Sequence, residues 1–258
     1  MRLLCCLLLA LSSLSAAGAR LVSLAPSFTT LIDELGACSQ LVAQVGQVRD
    51  RSACAQAPEI ARGLQWSDEE LLALHPDLLL VWAGGVDAQR LQSLRDLGLH
   101  LRIFDPHTLA DVRAMILSLG RITAREAQAT RLAAHYEQGI GTLAHLYGAS
   151  PWLNVFYQVW PQPLMTLATD HYVAQALRLC HLQLISPSAH GGAISLSPEW
   201  LFTQSLQAII LPGHQILAAR LPAIPMVNID ASRLERPDAE MLDGLDAICR
   251  RVRAAALK

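Results

Sequence analysis

Long apolar runs and clusters of like charge are both scarce in this sequence. Beyond the N-terminus no apolar stretch reaches the roughly 20 residues that a membrane-spanning helix needs. Lysine and arginine total 20 against 22 acidic residues, a formal net charge of -2, and they gather into no basic run. A footprint for nucleic acid or for anionic lipid is therefore missing. Six cysteines occur, none at CxxC spacing, which leaves a zinc or thioredoxin-type reading without support. There is no GxSxG elbow, no glycine-rich phosphate loop and no HExxH pair. Nine histidines are present, yet no two stand two or four residues apart, so none pair as metal ligands on one local face. Asp170-His171 is what remains of a possible triad, too little to argue catalysis.

What is present starts with MRLLCCLLLALSSLSAAGA. It carries one charge, Arg2, an apolar core from Leu3 to Leu11 and a small-x-small end at Ala17-Gly18-Ala19. That is the layout of an export signal, too short to span a bilayer as a helix. Cys5 and Cys6 lie at the front of the apolar core rather than behind it, which argues against a lipoprotein anchor. The mature chain is expected to begin near Arg20 and to work outside the cytoplasm. Removing 19 of 258 residues leaves 239, enough for one large domain or two small ones. Cys38, Cys54, Cys180 and Cys249 remain, an even number in a disulfide-permissive compartment. Four cysteines allow three pairings, and spacing does not choose among them.

The segment RLVSLAPSFTTLIDELGAC reads as strand, turn and helix, with Ser27 or Thr29 as the helix cap. In LQWSDEELLALHPDLLLVWAGG, Ser67 is an N-cap with Glu70 at the capping-box position, and Asp68, Glu69 and Glu70 complement the helix dipole. Pro76 ends that helix, and DLLLVW is apolar on both faces, as a parallel strand covered by helices must be. Alternation of this kind predicts an α/β fold with parallel sheets. From about Thr108 to Tyr147 strands give way to two long helical periods, and strand signals return at LNVFYQVW. The second α/β stretch repeats the first. At an offset of 130, Ser67, Glu69 and Leu71 match Ser197, Glu199 and Leu201, and each start leads through a helix into a buried strand ending near glycine.

Four stretches, RLVSLAPSFTTLIDELGA, LLALHPDLLLVWAGG, VFYQVWPQPLMTLATDHYVAQALRLC and LSPEWL, together resemble the periplasmic substrate-binding proteins of ABC importers for cobalamin, haem and iron-siderophores, the cobalamin-binding members above all. The resemblance spans nearly the whole mature chain. It implies a signal peptide at 1–19 and two Rossmann-like lobes, 20–118 and 151–258, joined by one long helix within 119–150. Ligand would sit in the cleft between lobes, with no chemistry performed. Cobalamin or a related corrinoid is then transported cargo rather than a cofactor, and haem or an iron-siderophore is the alternative. The partners implied are a permease dimer and its ATPase, served by a periplasmic monomer.

Trp82 matches a cleft tryptophan of the cobalamin-binding relatives. It ends a strand where a rigid aromatic face could stack on a flat ligand, and Gly84-Gly85 would turn the backbone aside. Other positions depart from the pattern. Gln47 replaces a tyrosine, Gly63 a tryptophan with Trp66 three residues on, Val159 a phenylalanine with Trp160 adjacent, Ala193 a tryptophan, and Leu234 an arginine with Arg233 beside it. VWPQPLM is expected to be an extended, proline-stiffened loop presenting Trp160, Leu164 and Met165. A siderophore would call on Arg49, Arg51 and Arg233. Glu69 and Glu199 align with the family's docking glutamates, one per lobe. Relatives also carry a pair like Cys180–Cys249, whereas nothing requires Cys38 to pair with Cys54.

Overall fold

The computed structural model describes residues 18–46, 52–60, 66–213 and 224–257. The first lobe contains β1 (Leu21–Ser23), α1 (Pro26–Glu34), β2 (Leu41–Gln44), α2 (Asp68–Ala73), β3 (Leu78–Trp82), α3 (Ala88–Asp96) and β4 (Leu101–Phe104). Its strands are parallel in the order β2-β1-β3-β4. Successive side chains leave a strand on opposite faces, and here both faces are buried. Leu21 and Leu80 enter a core layer with Phe28, Val112 and Tyr136, while Val22, Leu79 and Val81 enter a second layer with Leu71 and Leu94.

Two helices follow, α4 (Leu109–Ile122) and α5 (Glu126–Tyr147). Thr108 caps α4 in a full capping box with Asp111. Ala124 turns the chain with φ 53, and α5 then runs 22 residues, burying Ala129, Ala133, Tyr136, Leu143 and Tyr147 along one face. Gly120 lets the two helices touch, because a Cβ there would lie 2.2 Å from that of Ala129. The joining segment is thus the end of α4, a three-residue break and α5.

The second lobe holds β5 (Leu153–Tyr157), β6 (Trp160–Pro161), β7 (Leu164–Leu167), α6 (Tyr172–Leu179), β8 (Leu182–Leu184), β9 (Ala193–Ser195), β10 (Ala208–Pro212), β11 (Met226–Ile229) and α7 (Leu245–Ala256). Its parallel sheet, β8-β5-β10-β11, has the same connectivity as the first lobe's. The antiparallel trio β6-β7-β9 is the second lobe's addition. Disulfides join Cys38 to Cys54 in the first lobe and Cys180, after α6, to Cys249 in α7.

Three local expectations are corrected. Neither Ser27 nor Thr29 caps α1: Ala25 is the cap residue, Pro26 opens the helix, and the Thr29 hydroxyl is buried and donates to Ser23 Oγ at 2.8 Å. Proline at the first helical position needs no N–H partner, so the cap moves upstream. The segment after Ser197 is a 3-10 turn, Pro198–Thr203, rather than an α-helix, and no side-chain cap bond holds its start. VWPQPLM is a tight β6-β7 hairpin, not an extended loop, with a cis Gln162–Pro163 bond and Trp160 opposite Met165.

Candidate functional site

In open α/β sheets the binding crevice lies beyond the carboxyl ends of the strands. Trp82 stands at that end of β3, paired across the sheet with Phe104 of β4, and Phe104 lies 5.2 Å from the ring of Phe28. The indole is half-buried. Its ring also lies over the next turn, since a Cβ built on Gly84 would stand 2.8 Å from Trp82 Cζ2, and one on Gly85 would stand 3.4 Å from Cε3. Neither glycine has a positive φ, so they serve as space for the indole rather than as a sharp bend.

Trp66 is on the other side of the first sheet, packed with the layer that holds Leu71 and Val81. Arg90 lies over its ring at 5.8 Å and donates to Asp68 Oδ2 at 2.9 Å. The structure therefore gives Trp66 and Trp82 different neighbours. In the second lobe Trp160 is exposed and donates its indole N–H to Gln162 O at 2.9 Å, with Met165 as its cross-strand neighbour. Arg233 pairs with Asp243 at 3.3 Å and lines a hollow of about 300 Å³ with Asp230 and Arg251, apart from every tryptophan. Leu234 points into the core. Gln47, Arg49, Arg51 and Gly63 lie outside the described residues.

Glu69 and Glu199 are both exposed near the start of their helical turns. The Ser67 hydroxyl donates to Glu69 Oε2 at 2.7 Å and accepts the Glu70 N–H at 3.2 Å. The first of these bonds holds the Glu69 carboxyl below its ordinary pKa, so it is ionised at neutral pH.

Sequence reasoning missed the polar groups behind the second lobe's strand ends. Tyr157, fully buried at the end of β5, donates to Glu235 Oε1 at 2.6 Å, and Tyr172 donates to Glu235 O at 2.8 Å. Burial pushes both hydroxyls above the usual tyrosine range and raises the Glu235 carboxyl, although the Tyr157 bond opposes that rise. Beside them Arg236 pairs with Asp238 at 3.2 Å. His171 was likewise unforeseen: its Nδ1 accepts the Val173 N–H at 3.2 Å, making it the cap of α6. Burial pulls its pKa down to about 4. Neither role had a sequence signal, because 78 residues separate Tyr157 from Glu235 and histidine is not a preferred cap.

The periplasmic binding protein family model matches residues 21–237. The chain is a periplasmic binding protein. It is 28% identical over 261 residues to the vitamin B12-binding protein of Yersinia pestis (strain Pestoides F), covering 95% of this chain and 91% of that one. Its fold is that of the periplasmic vitamin B12 binding protein of Vibrio cholerae, with TM-score 0.78, 24% identity and 94% and 99% of the two chains covered. The apo periplasmic heme-binding protein RhuT from Roseiflexus sp. RS-1 shares the fold at TM-score 0.76 and 18% identity, over 93% and 99% of the chains.

Two chemical possibilities bear on what a periplasmic binding protein of this sequence does. Asp170 accepts from or pairs with His190 at 2.9 Å, and the Ser188 hydroxyl donates to the His190 carbonyl rather than to an imidazole. With His171 engaged as a cap, these residues do not form a relay to a nucleophile. The chain's four tyrosines are Tyr136, Tyr147, Tyr157 and Tyr172, and all four are buried with their hydroxyls bonded to Met241, Asp246 or Glu235. None offers a phenolate to an iron in a cleft.

Proposed function

We propose that this protein captures a large, flat solute outside the cytoplasm, vitamin B12 or a related corrinoid, and delivers it to an ABC-type permease without chemically altering it. The observation that carries this reading is Trp82. Its indole sits at a strand's carboxyl end, where Trp82 is the register partner of Phe104 on β4, and lies over Gly84-Gly85. A rigid aromatic face there can stack on a flat ligand with little loss of side-chain entropy. Similarity to a vitamin B12-binding protein, 28% identical over 95% of the chain, supports a corrinoid cargo. Engagement of every tyrosine hydroxyl favours it over haem held through tyrosine.

In this reading the leader 1–19 is removed on export to the periplasm. The lobes 20–118 and 151–258, joined by the 119–150 segment, hold the cargo in the cleft between them, and the protein acts as a monomer. Trp82 is the principal contact, and Trp160 and Met165, neighbours across the β6-β7 hairpin, are the second lobe's contacts, whereas Trp66 and Arg233, engaged by Arg90 and Asp243, are not assigned to the cargo. Glu69 and Glu199 face the permease dimer, whose ATPase drives uptake. Calorimetric titration with cyanocobalamin, run beside haemin, tests the cargo. A saturable one-to-one heat with cyanocobalamin, weakened by about 1–3 kcal/mol in Trp82→Ala, is expected. No heat with cyanocobalamin, together with tight haemin binding and a shifted Soret band, would overturn it.

A further inference from the structure

Eight large apolar side chains are markedly exposed among the described residues. Only one pair of them recurs at the 130-residue offset that relates the lobes: Leu72, 38% exposed, and Phe202, 59% exposed. Each stands three residues after a glutamate assigned above to docking, and each follows a fully buried leucine, Leu71 or Leu201. In an α-helix, residues i and i+3 share a face, and in a 3-10 helix they eclipse. Glu69 with Leu72, and Glu199 with Phe202, are therefore side-by-side pairs on corresponding outer surfaces. The buried leucines fix this orientation, because Leu71 packs under the first sheet and Leu201 under the second.

We propose that each lobe docks through a two-part anchor, a carboxylate with an apolar side chain three residues on, against a partner presenting a cation beside an apolar pocket twice. The inference rests on the docking role given to Glu69 and Glu199. The partner's chemistry follows from this surface. An exposed carboxylate calls for a basic residue, and an exposed phenylalanine calls for a pocket that removes it from water. A repeat within one chain calls for a partner with the same patch in two copies. The two anchors are unequal. On the first lobe Asp68 is already paired with Arg90, which leaves Glu69 and Glu70 as the outward charges beside the smaller Leu72. On the second lobe Glu199 stands beside the larger and more exposed Phe202. The first anchor is mainly electrostatic and governs association, whereas the second is mainly apolar and governs dissociation.

The test is binding of the cyanocobalamin-loaded protein to its host's vitamin B12 permease–ATPase complex in nanodiscs, followed at low and high salt. Phe202→Ser should dissociate about tenfold faster at both salt concentrations, and Leu72→Ser a few-fold faster. Phe202→Leu should recover most of the loss. Glu69→Gln should slow association at low salt and matter little at high salt. Leu146→Ser, which removes an equally exposed residue on α5, should bind as wild type. Cyanocobalamin titration and thermal melting of each variant confirm that it is folded. Wild-type binding by Leu72→Ser and Phe202→Ser, with weakened binding by Glu69→Gln and Glu199→Gln, would overturn the two-part anchor and leave the docking face standing. Wild-type binding by all four variants would overturn both.

Discussion

Gly84→Ala is the most incisive perturbation of the Trp82 platform, because it adds one methyl group, directly against the indole. That methyl would lie 2.8 Å from Trp82 Cζ2 and 3.0 Å from Cε2, where ordinary contact needs roughly 3.5–4 Å. The turn is exposed at Gly84 and its φ is not left-handed, so the backbone accepts alanine and the indole must give way by about 1 Å. An off-rotamer shift of that kind costs roughly 0.5–1.5 kcal/mol. Stacking on cargo would be lost in part, so affinity for cyanocobalamin should fall by about 1 kcal/mol, roughly fivefold. Stability should hold, since alanine in place of glycine at a compatible turn adds about 0.4–1 kcal/mol through the unfolded chain. Calorimetry, tryptophan fluorescence and thermal melting read the three effects. The decisive arm is the double-mutant cycle: in a Trp82→Ala background, Gly84→Ala should leave affinity unchanged. If Gly84→Ala costs the same affinity with and without the indole, the glycines do not act through Trp82, and the account of the platform is refuted.

Replacing Cys180 and Cys249 by serine opens a loop of 69 residues, with an entropic loss of up to about 4 kcal/mol; denaturant unfolding that shows no loss would contradict a closed bridge. His171 caps α6 only as the neutral ring, and its folded pKa of about 4 lies below the 6.5 of a free imidazole. Its stabilising contribution is therefore full above pH 6.5 and is lost as pH falls toward 4, with an upper bound of about 3 kcal/mol. His171→Asn keeps a cap but should flatten that slope in melting curves taken across this range, whereas an unchanged slope would clear His171 of the effect. Tyr157→Phe removes the donor to Glu235 inside the second lobe and should lower the unfolding free energy by about 1–3 kcal/mol, with wild-type stability counting against the bond.

Burial on both faces made the strands legible. A run such as Leu78–Trp82 has no polar residue to face water, so the sequence alone marks it as a parallel strand under helices. Local caps announced α2, and the recurrence of Ser67, Glu69 and Leu71 at Ser197, Glu199 and Leu201 announced two lobes, which the matching strand orders of the two sheets bear out. All these signals are short-range: each reads the solvent exposure or hydrogen-bond needs of a few adjacent residues. The remainder depended on distant pairs. The choice among three cysteine pairings, the hydroxyl of Tyr157 reaching Glu235, and the separation of Trp66 from Trp82 onto opposite faces of one sheet follow from how elements stack. Gly84 and Gly85 show the division most plainly. Their place after a tryptophan was visible in the sequence, but the reason, an indole folded back onto its own turn, exists only once β3 ends beside β4 and the chain turns under the ring.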